Sequence, residues 1–327
     1  MAHKNHPLLS VVIPVYNEGT SIQKLHEWLL MATRKASKDS YEIIYCDDGS
    51  TDNTAEIIAE ICHKDPSTKL IQLSRNFGKE SALSAGISMA KGEAIVMIDG
   101  DGQHPPELIP ALVEKWRAGA QVVVGLRSGD YDEGFLKRAG SKIFYKIFNR
   151  MTGENLIPGS TDFRLIDRQV QQAFLKLTES ERMTRGLIDW LGFDREFIEF
   201  KAQRRIAGQA TYSPKKLLKL ATNSFVSMSP VPLYLFGFLG IIITFLTLIL
   251  GSAILVEQLL LNDPLSWHFT GTAMLSILLL FLVGIILMSQ GILSLYISHT
   301  HTQSKRRPLY IIDNKKSIGI YITSDDE

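Results

Sequence analysis

The sequence predicts an α/β domain built on a mostly parallel sheet, followed by interfacial helices and two transmembrane helices. Three observations carry that expectation. Short β-branched runs alternate with amphipathic stretches over residues 10–124. Between Pro230 and Thr300 the charged side chains are reduced to Glu257 and Asp263, with no Lys or Arg. Basic residues then flank that segment, Lys215, Lys216 and Lys219 before it and Lys305, Arg306 and Arg307 after it.

Residues 10–15, 42–46, 69–73, 94–98 and 121–124 are apolar runs of strand length. Between them, 21–36, 54–63, 79–90 and 107–118 repeat apolar residues at helical spacing, and Thr51, Asp52 and Asn53 offer a cap to the second helix. Strands alternating with helices form parallel sheets, whose ligands bind outside the carboxyl ends of the strands. Tyr16-Asn17-Glu18, Asp47-Asp48-Gly49-Ser50 and Asp99-Gly100-Asp101 each follow a strand directly, so acidic groups collect along one edge. After the first strand, Val-Ile-Pro-Val-Tyr-Asn-Glu-Gly supplies one glycine where a dinucleotide dehydrogenase needs G-x-G-x-x-G, which argues against that class.

Further on, Leu136, Ile143, Phe144, Ile147, Phe148 and Met151 are interleaved with Lys137, Arg138, Lys142, Lys146 and Arg150. This pattern reads as a basic amphipathic helix at a membrane surface, or as a surface helix with solvated lysines. Residues 214–228 repeat the pattern and lead into the first span. Segments 231–256 and 269–298 are uncharged, and about 20 such residues cross a bilayer core as helix. The basic flanks place both chain ends in the cytoplasm, with the loop around Asp263 outside. The opening MAHKNHPLLS lacks a leader-like apolar run, so the domain is expected to stay cytoplasmic. The expected organisation is a cytoplasmic domain over 1–212, an interfacial helix over 213–229, a two-helix transmembrane hairpin over 230–300, and a cytoplasmic tail over 301–327, polar and mobile after Ser304.

Smaller features set further expectations. Gly271, Gly284 and Gly291 with Ser276 and Ser289 allow close helix approach, hence a homo-oligomer. A formal net charge of +1 argues against bulk electrostatic binding of nucleic acid. Cys46 and Cys62 read as reduced packing thiols.

Asp99-x-Asp101-x-Gln103 can turn two carboxylates and an amide oxygen toward one hard cation, Mg²⁺ or Mn²⁺. Taken alone, aspartates beside glycines also occur in ordinary turns. The ordered series is more specific: residues 11–18 (Val-Val-Ile-Pro-Val-Tyr-Asn-Glu), 47–52 (Asp-Asp-Gly-Ser-Thr-Asp), 75–79 (Arg-Asn-Phe-Gly-Lys), Asp99-x-Asp101-x-Gln103-x-Pro105-Pro106-Glu107, 160–165 (Ser-Thr-Asp-Phe-Arg-Leu), Glu181-Arg182 through Arg185-Gly186-Leu187, and Arg205-Ile206-Ala207-Gly208. With the two spans, this series resembles the polyprenyl-phosphate glycosyltransferases of the GT-A (Rossmann-like) fold. Within them it is most similar to the bacterial GtrB-like enzymes, and it is also similar to dolichol-phosphate mannose synthases.

The resemblance implies a metal-dependent inverting glycosyltransferase of the bacterial cytoplasmic membrane. It would move glucose from UDP-glucose to undecaprenyl phosphate. By the same resemblance, Pro14, Tyr16, Glu18, Asp48, Arg75, Lys79 and Arg205 border the nucleotide sugar, and Asp99, Asp101 and Gln103 hold the cation. Arg127, Lys137, Arg138 and Ser141 receive the lipid phosphate, and Asp162 lies at the reacting centre. The closest resemblance also suggests a tetramer. Asp48 equally suits a turn cap, and Asp162 a helix cap before Phe163. Asp162 has little to gain as a base, because a phosphate monoester has a second pKa of about 6 and is already deprotonated at neutral pH. Gly102, His104 and Thr211 depart from the family pattern, and His104 reads as a hydrogen-bonded loop histidine. Three alternatives are transfer from GDP-mannose, a non-catalytic nucleotide-sugar sensor, and a processive synthase; the chain lacks the Gln-x-x-Arg-Trp signature of the last.

Overall fold

The computed structural model describes residues 7–128, 157, 159–179, 182–201, 242–243, 245–246, 249, 271–305 and 307–320. The chain divides into two compact units, Met1–Thr211 with Arg307–Glu327, and Tyr212–Arg306.

Seven strands build the first unit: β1 (Leu9–Val15), β2 (Tyr41–Asp47), β3 (Thr68–Gln72), β4 (Ala94–Met97), β5 (Val122–Arg127), β6 (Ser160–Asp167) and β7 (Arg195–Phe200). They form one sheet in the order β3-β2-β1-β4-β6-β5-β7. Neighbours run parallel except β6, which is antiparallel to β4 and β5. The expected mostly parallel sheet is present, with its first four strands within one residue of their expected ends. β5 continues past Val124 to Arg127 because Gly125, Leu126 and Arg127 pair with Ile198, Glu199 and Phe200 of β7.

The helices of this unit are α1 (Ile22–Ser37), α2 (Thr54–Lys64), α3 (Lys79–Met89), α4 (Ile109–Arg117, after a 3₁₀ turn at Pro106–Leu108), α5 (Arg168–Leu175) and α6 (Thr184–Trp190). All seven residues of β1 are buried, as a central strand covered on both faces requires. Leu9, Val11, Ile13 and Val15 join one core with Leu25 and Leu29 of α1, Ile58 of α2 and Leu112 of α4. Val12 joins the opposite core with Leu83 of α3, Phe174 of α5 and Ile188 of α6. Cys46 and Cys62 are buried free thiols, and burial pushes the Cys62 thiol up to about 12.

The expected tail is different in the structure. Residues 307–320 lie along β3, with antiparallel bridges Leu70↔Ile318 and Leu73↔Ile312, and Tyr310, Ile312 and Ile320 pack on the core beside α3. This corrects the mobile-tail reading for residues 307–320; residues 321–327 lie outside the described residues. β3 ends the sheet, and an uncovered edge leaves a row of unpaired backbone groups that such a segment satisfies.

In the second unit, α7 (Gly271–Ser304) runs through the expected second span. Among the described residues it is the one helix long and apolar enough to cross a membrane, with mean hydropathy 1.9 over Phe281–Ser298. None of that window is buried, and Phe281, Ile286, Met288 and Ile297 are exposed. The first span, the interfacial helix and the basic helix at 135–151 lie outside the described residues, apart from helical positions 242–243, 245–246 and 249.

Candidate active site

The site arises where the strand order reverses, at the crevice between β1 and β4. Parallel β1 to β4 deliver Tyr16, Asp48, Arg75 and Asp99 to one edge, and antiparallel β6 starts at that edge with Asp162. The register Met97↔Arg164, continued two residues, sets Asp99 level with Asp162.

Lys79, the first residue of α3, joins these two acids. Its Nζ lies 2.6 Å from Asp99 Oδ1 and donates to Asp162 Oδ2 at 2.7 Å. Desolvation draws the Lys79 ammonium down, but the two carboxylates outweigh it and hold its pKa above the ordinary lysine value. Burial alone would push Asp162 up; Lys79 first, then Arg185 and Arg164, overcome this and hold its carboxyl below the usual range. Asp162 is therefore an ionised strand residue in β6, not a helix cap.

Asp101 Oδ1 accepts the Gln103 N–H at 3.0 Å, which turns the loop back after Asp99. His104 is buried, stacked on Phe163 with ring centroids 5.4 Å apart, and its Nδ1 accepts the Asp99 N–H at 3.4 Å. Burial lowers its pKa, so it packs as a neutral loop histidine. Gly100 is needed where this loop passes β1, since a Cβ there would meet Val15 Cγ1 at 2.9 Å and the Pro14 carbonyl oxygen at 3.1 Å.

On the other side of the crevice the loops after β1 and β2 interlock. Asn17 N–H donates to Ser50 Oγ and Thr51 N–H to Asn17 Oδ1, both at 2.9 Å, while Glu18 N–H donates to Thr54 Oγ1 at 2.9 Å. Asp52 accepts from Thr54 at the start of α2 and from Gly19 N–H. Asp47 caps its own turn by accepting from Ser50. Asp48 instead reaches across to accept the Phe77 N–H at 2.7 Å and the Gly78 N–H at 2.9 Å, each carboxylate oxygen being engaged. Burial raises the Asp48 pKa against the pull of these amides. Gly49 sits at φ +69°, and a Cβ there would meet the Arg75 carbonyl carbon at 2.7 Å. The Arg75 guanidinium lies 4.0 Å over the Phe77 ring. Pro14 is buried at the end of β1, Tyr16 is exposed, Glu18 Oε2 accepts from Ser21, and Arg127 ends β5 half-buried. Lys137, Arg138, Ser141 and Arg205 lie outside the described residues.

Sequence reasoning gave no role to the support behind Asp162. Arg164 is 1% exposed; its guanidinium lies 3.3 Å from Asp189 and donates to the carbonyls of Thr161 and Arg185. Glu80 accepts from the Thr184 N–H and hydroxyl, pinning the start of α6 beside Arg185. The local signal for Arg164 is a cation inside Phe-Arg-Leu-Ile. Arg164→Met should cost about 2–3 kcal/mol, because Asp189 loses its buried partner but keeps the Arg195 guanidinium at 3.3 Å, and the Thr161 and Arg185 carbonyls lose a donor. A lowered thermal midpoint, with partial rescue by Arg164→Lys, checks this.

The model of Glycosyl transferase family 2 matches residues 10–174 of the 327. The chain belongs to glycosyl transferase family 2. The chain is therefore a glycosyltransferase by family, and the matched stretch contains Asp48, Lys79, Asp99, Asp101 and Asp162. It is 38% identical to the uncharacterised glycosyltransferase sll0501 of Synechocystis, covering 94% of this chain and 95% of that one. It is 34% identical to the bactoprenol glucosyl transferase of Shigella phage SfV, covering 94% and 99%. The structure of mannosyl-3-phosphoglycerate synthase from Rubrobacter xylanophilus aligns with a TM-score of 0.48 at 16% identity, over 66% of this chain and 70% of that one.

Proposed function

We propose that this glycosyltransferase moves glucose from UDP-glucose to undecaprenyl phosphate with inversion, at the cytoplasmic face of a membrane. The supporting observation is that likeness to a bactoprenol glucosyl transferase runs over 94% of the chain, through the apolar α7 as well as the sheet domain. A helix that is apolar all round belongs in a protein core or a bilayer, and the exposed side chains of α7 favour the bilayer.

In the proposed reaction a phosphate oxygen of the lipid attacks the anomeric carbon. The new C–O bond forms as the bond to the nucleoside diphosphate breaks, and the electron pair leaves with the β-phosphate oxygen. The lipid phosphate arrives as a dianion, so no strong base is needed. Ionised Asp162 suits orienting the sugar and stabilising cationic character at its anomeric carbon. Lys79, held between Asp99 and Asp162, would meet the departing diphosphate in this reading.

Among the described residues no group of three or more His, Cys, Asp or Glu is set to hold a metal ion. Two acids and an amide are nonetheless a fitting set for a hard cation that takes its remaining oxygens from a diphosphate. Asp99, Asp101 and Gln103 would hold Mg²⁺ or Mn²⁺, which would supply charge neutralisation to the leaving group. Arg127, at the same sheet edge, together with Lys137, Arg138 and Ser141, is assigned to the acceptor phosphate.

A panel of nucleotide sugars offered to purified protein with undecaprenyl phosphate tests the proposal. A labelled lipid product from UDP-glucose is expected, and Arg127→Ala should raise the apparent KM for lipid with little change for donor. Transfer from GDP-mannose in place of UDP-glucose would overturn the donor assignment; binding of nucleotide sugar without transfer would overturn the enzyme reading.

A further inference from the structure

The segment at 307–320 does more than cover an edge. It bonds to alternate amides from Leu70 to Ser74. Leu70 N–H donates to the Ile318 carbonyl at 3.0 Å, Gln72 N–H to Ser317 Oγ at 3.1 Å, and Ser74 N–H to the Ile311 carbonyl at 2.9 Å. In return, Ile318 N–H and Asp313 N–H each donate at 2.8 Å to the carbonyls of Leu70 and Gln72. A turn closed by Lys316 and Ser317 N–H on the Asp313 carbonyl joins the two halves. The Tyr310 hydroxyl then meets the Ser88 hydroxyl of α3 at 2.8 Å.

The segment thus grips β3 and α3, the two arms of one turn, residues 74–78. That turn carries Arg75, supplies the Phe77 and Gly78 amides that hold Asp48, and ends at Lys79. Gly49 packs against its backbone without room for a Cβ. A shift of the arms therefore reaches Asp48, Arg75 and Lys79 together.

We propose that residues 307–320 form a positioning strap for the donor pocket: nucleotide affinity depends on Tyr310, Ile311, Ile312, Ser317 and Ile318 holding the 74–78 turn in place. The strap starts at Arg307, just past Ser304 where α7 ends in the chain. This inference rests on the reading that the Asp48 side of the crevice receives the nucleotide.

The test uses the full chain in detergent with Ile312→Glu/Ile318→Pro, which removes an apolar anchor and the N–H donated to Leu70. Amide exchange at Leu70 and Ser74 reports whether the strap is released. UDP is titrated calorimetrically with Mg²⁺, and the KM for undecaprenyl phosphate is measured in parallel. Released amides, a Kd for UDP raised about tenfold and a lipid KM within about twofold of the parent are expected. A strap that merely protects the edge would lower the thermal midpoint and leave the Kd for UDP unchanged despite release, and that result overturns the proposal. If the double variant loses its near-ultraviolet dichroism, Tyr310→Phe decides instead, with the Kd raised about threefold expected and an unchanged Kd overturning it. Tyr16→Ala, at an exposed residue assigned to the donor and outside the 74–78 turn, separates the two readings: weaker UDP binding in the strap variant but not in Tyr16→Ala leaves the strap standing and removes Tyr16 from the donor assignment. A parent chain that binds GDP and not UDP refutes the donor, and the same comparison is then read with GDP.

Discussion

Excess chelator, or Asp101→Asn, is expected to abolish sugar transfer to the lipid, with the variant slowed by about 10²–10³-fold. Departure of a nucleoside diphosphate builds negative charge at a crevice already lined by Asp99, Asp101 and Asp162. Lys79 is shared between Asp99 and Asp162 and balances one of those charges. On the proposed reading, a divalent ion on Asp99, Asp101 and Gln103 would supply the further positive charge that the leaving diphosphate calls for. Asp101→Asn keeps the size of the side chain and an oxygen able to accept from Gln103 N–H, so a loss of rate reports charge and not loop collapse. Titration of Mn²⁺ by electron paramagnetic resonance should show weaker binding in this variant. Full turnover in chelator would remove the ion from the mechanism.

The sheet edge was legible in the sequence because each central strand is an apolar run followed at once by acids and glycines. Val11 to Val15 and Ile43 to Cys46 are buried on both faces, which makes them stand out without reference to their neighbours. β6 did not stand out. Its Asp162, Arg164 and Asp167 interrupt the apolar pattern, and each finds its partner far away in the chain: Lys79 for Asp162, Asp189 for Arg164 and Trp116 for Asp167. β7 mixes half-buried and exposed residues before buried Phe200, as the end strand of the sheet. The strap was illegible for a related reason. A few isoleucines among polar residues become a structural element only when the open edge of β3 stands opposite them. Likewise Asp48, set in Asp-Gly-Ser, looked like the cap of its own turn; that task falls to Asp47, and Asp48 fixes a turn about 30 residues away.

Asp162→Asn is expected to lower kcat by about 10²–10³-fold while leaving the acidic limb of the pH profile in place, at an apparent pKa of about 6 set by the lipid phosphate. The pairing with Lys79, aided by Arg185 and Arg164, holds the Asp162 carboxyl below its ordinary value. A carboxyl shifted in this direction contributes its stability above the unfolded value of about 3.9 and loses it as the pH falls through the folded value, so Asp162 stays ionised and constant across an assay range of about pH 5–8. Lys79, shifted upward, stays charged over the same range. A base so weakened has little to offer a phosphate that is already deprotonated, whereas a fixed negative charge beside the anomeric carbon favours the cationic transition state. Rates of parent and Asp162→Asn measured against pH with undecaprenyl phosphate separate the two roles. If the limb near 6 disappears in the variant, the ionisation belongs to the enzyme and Asp162 is a general base; if it persists beneath a reduced plateau, the charge of Asp162 is what the reaction uses.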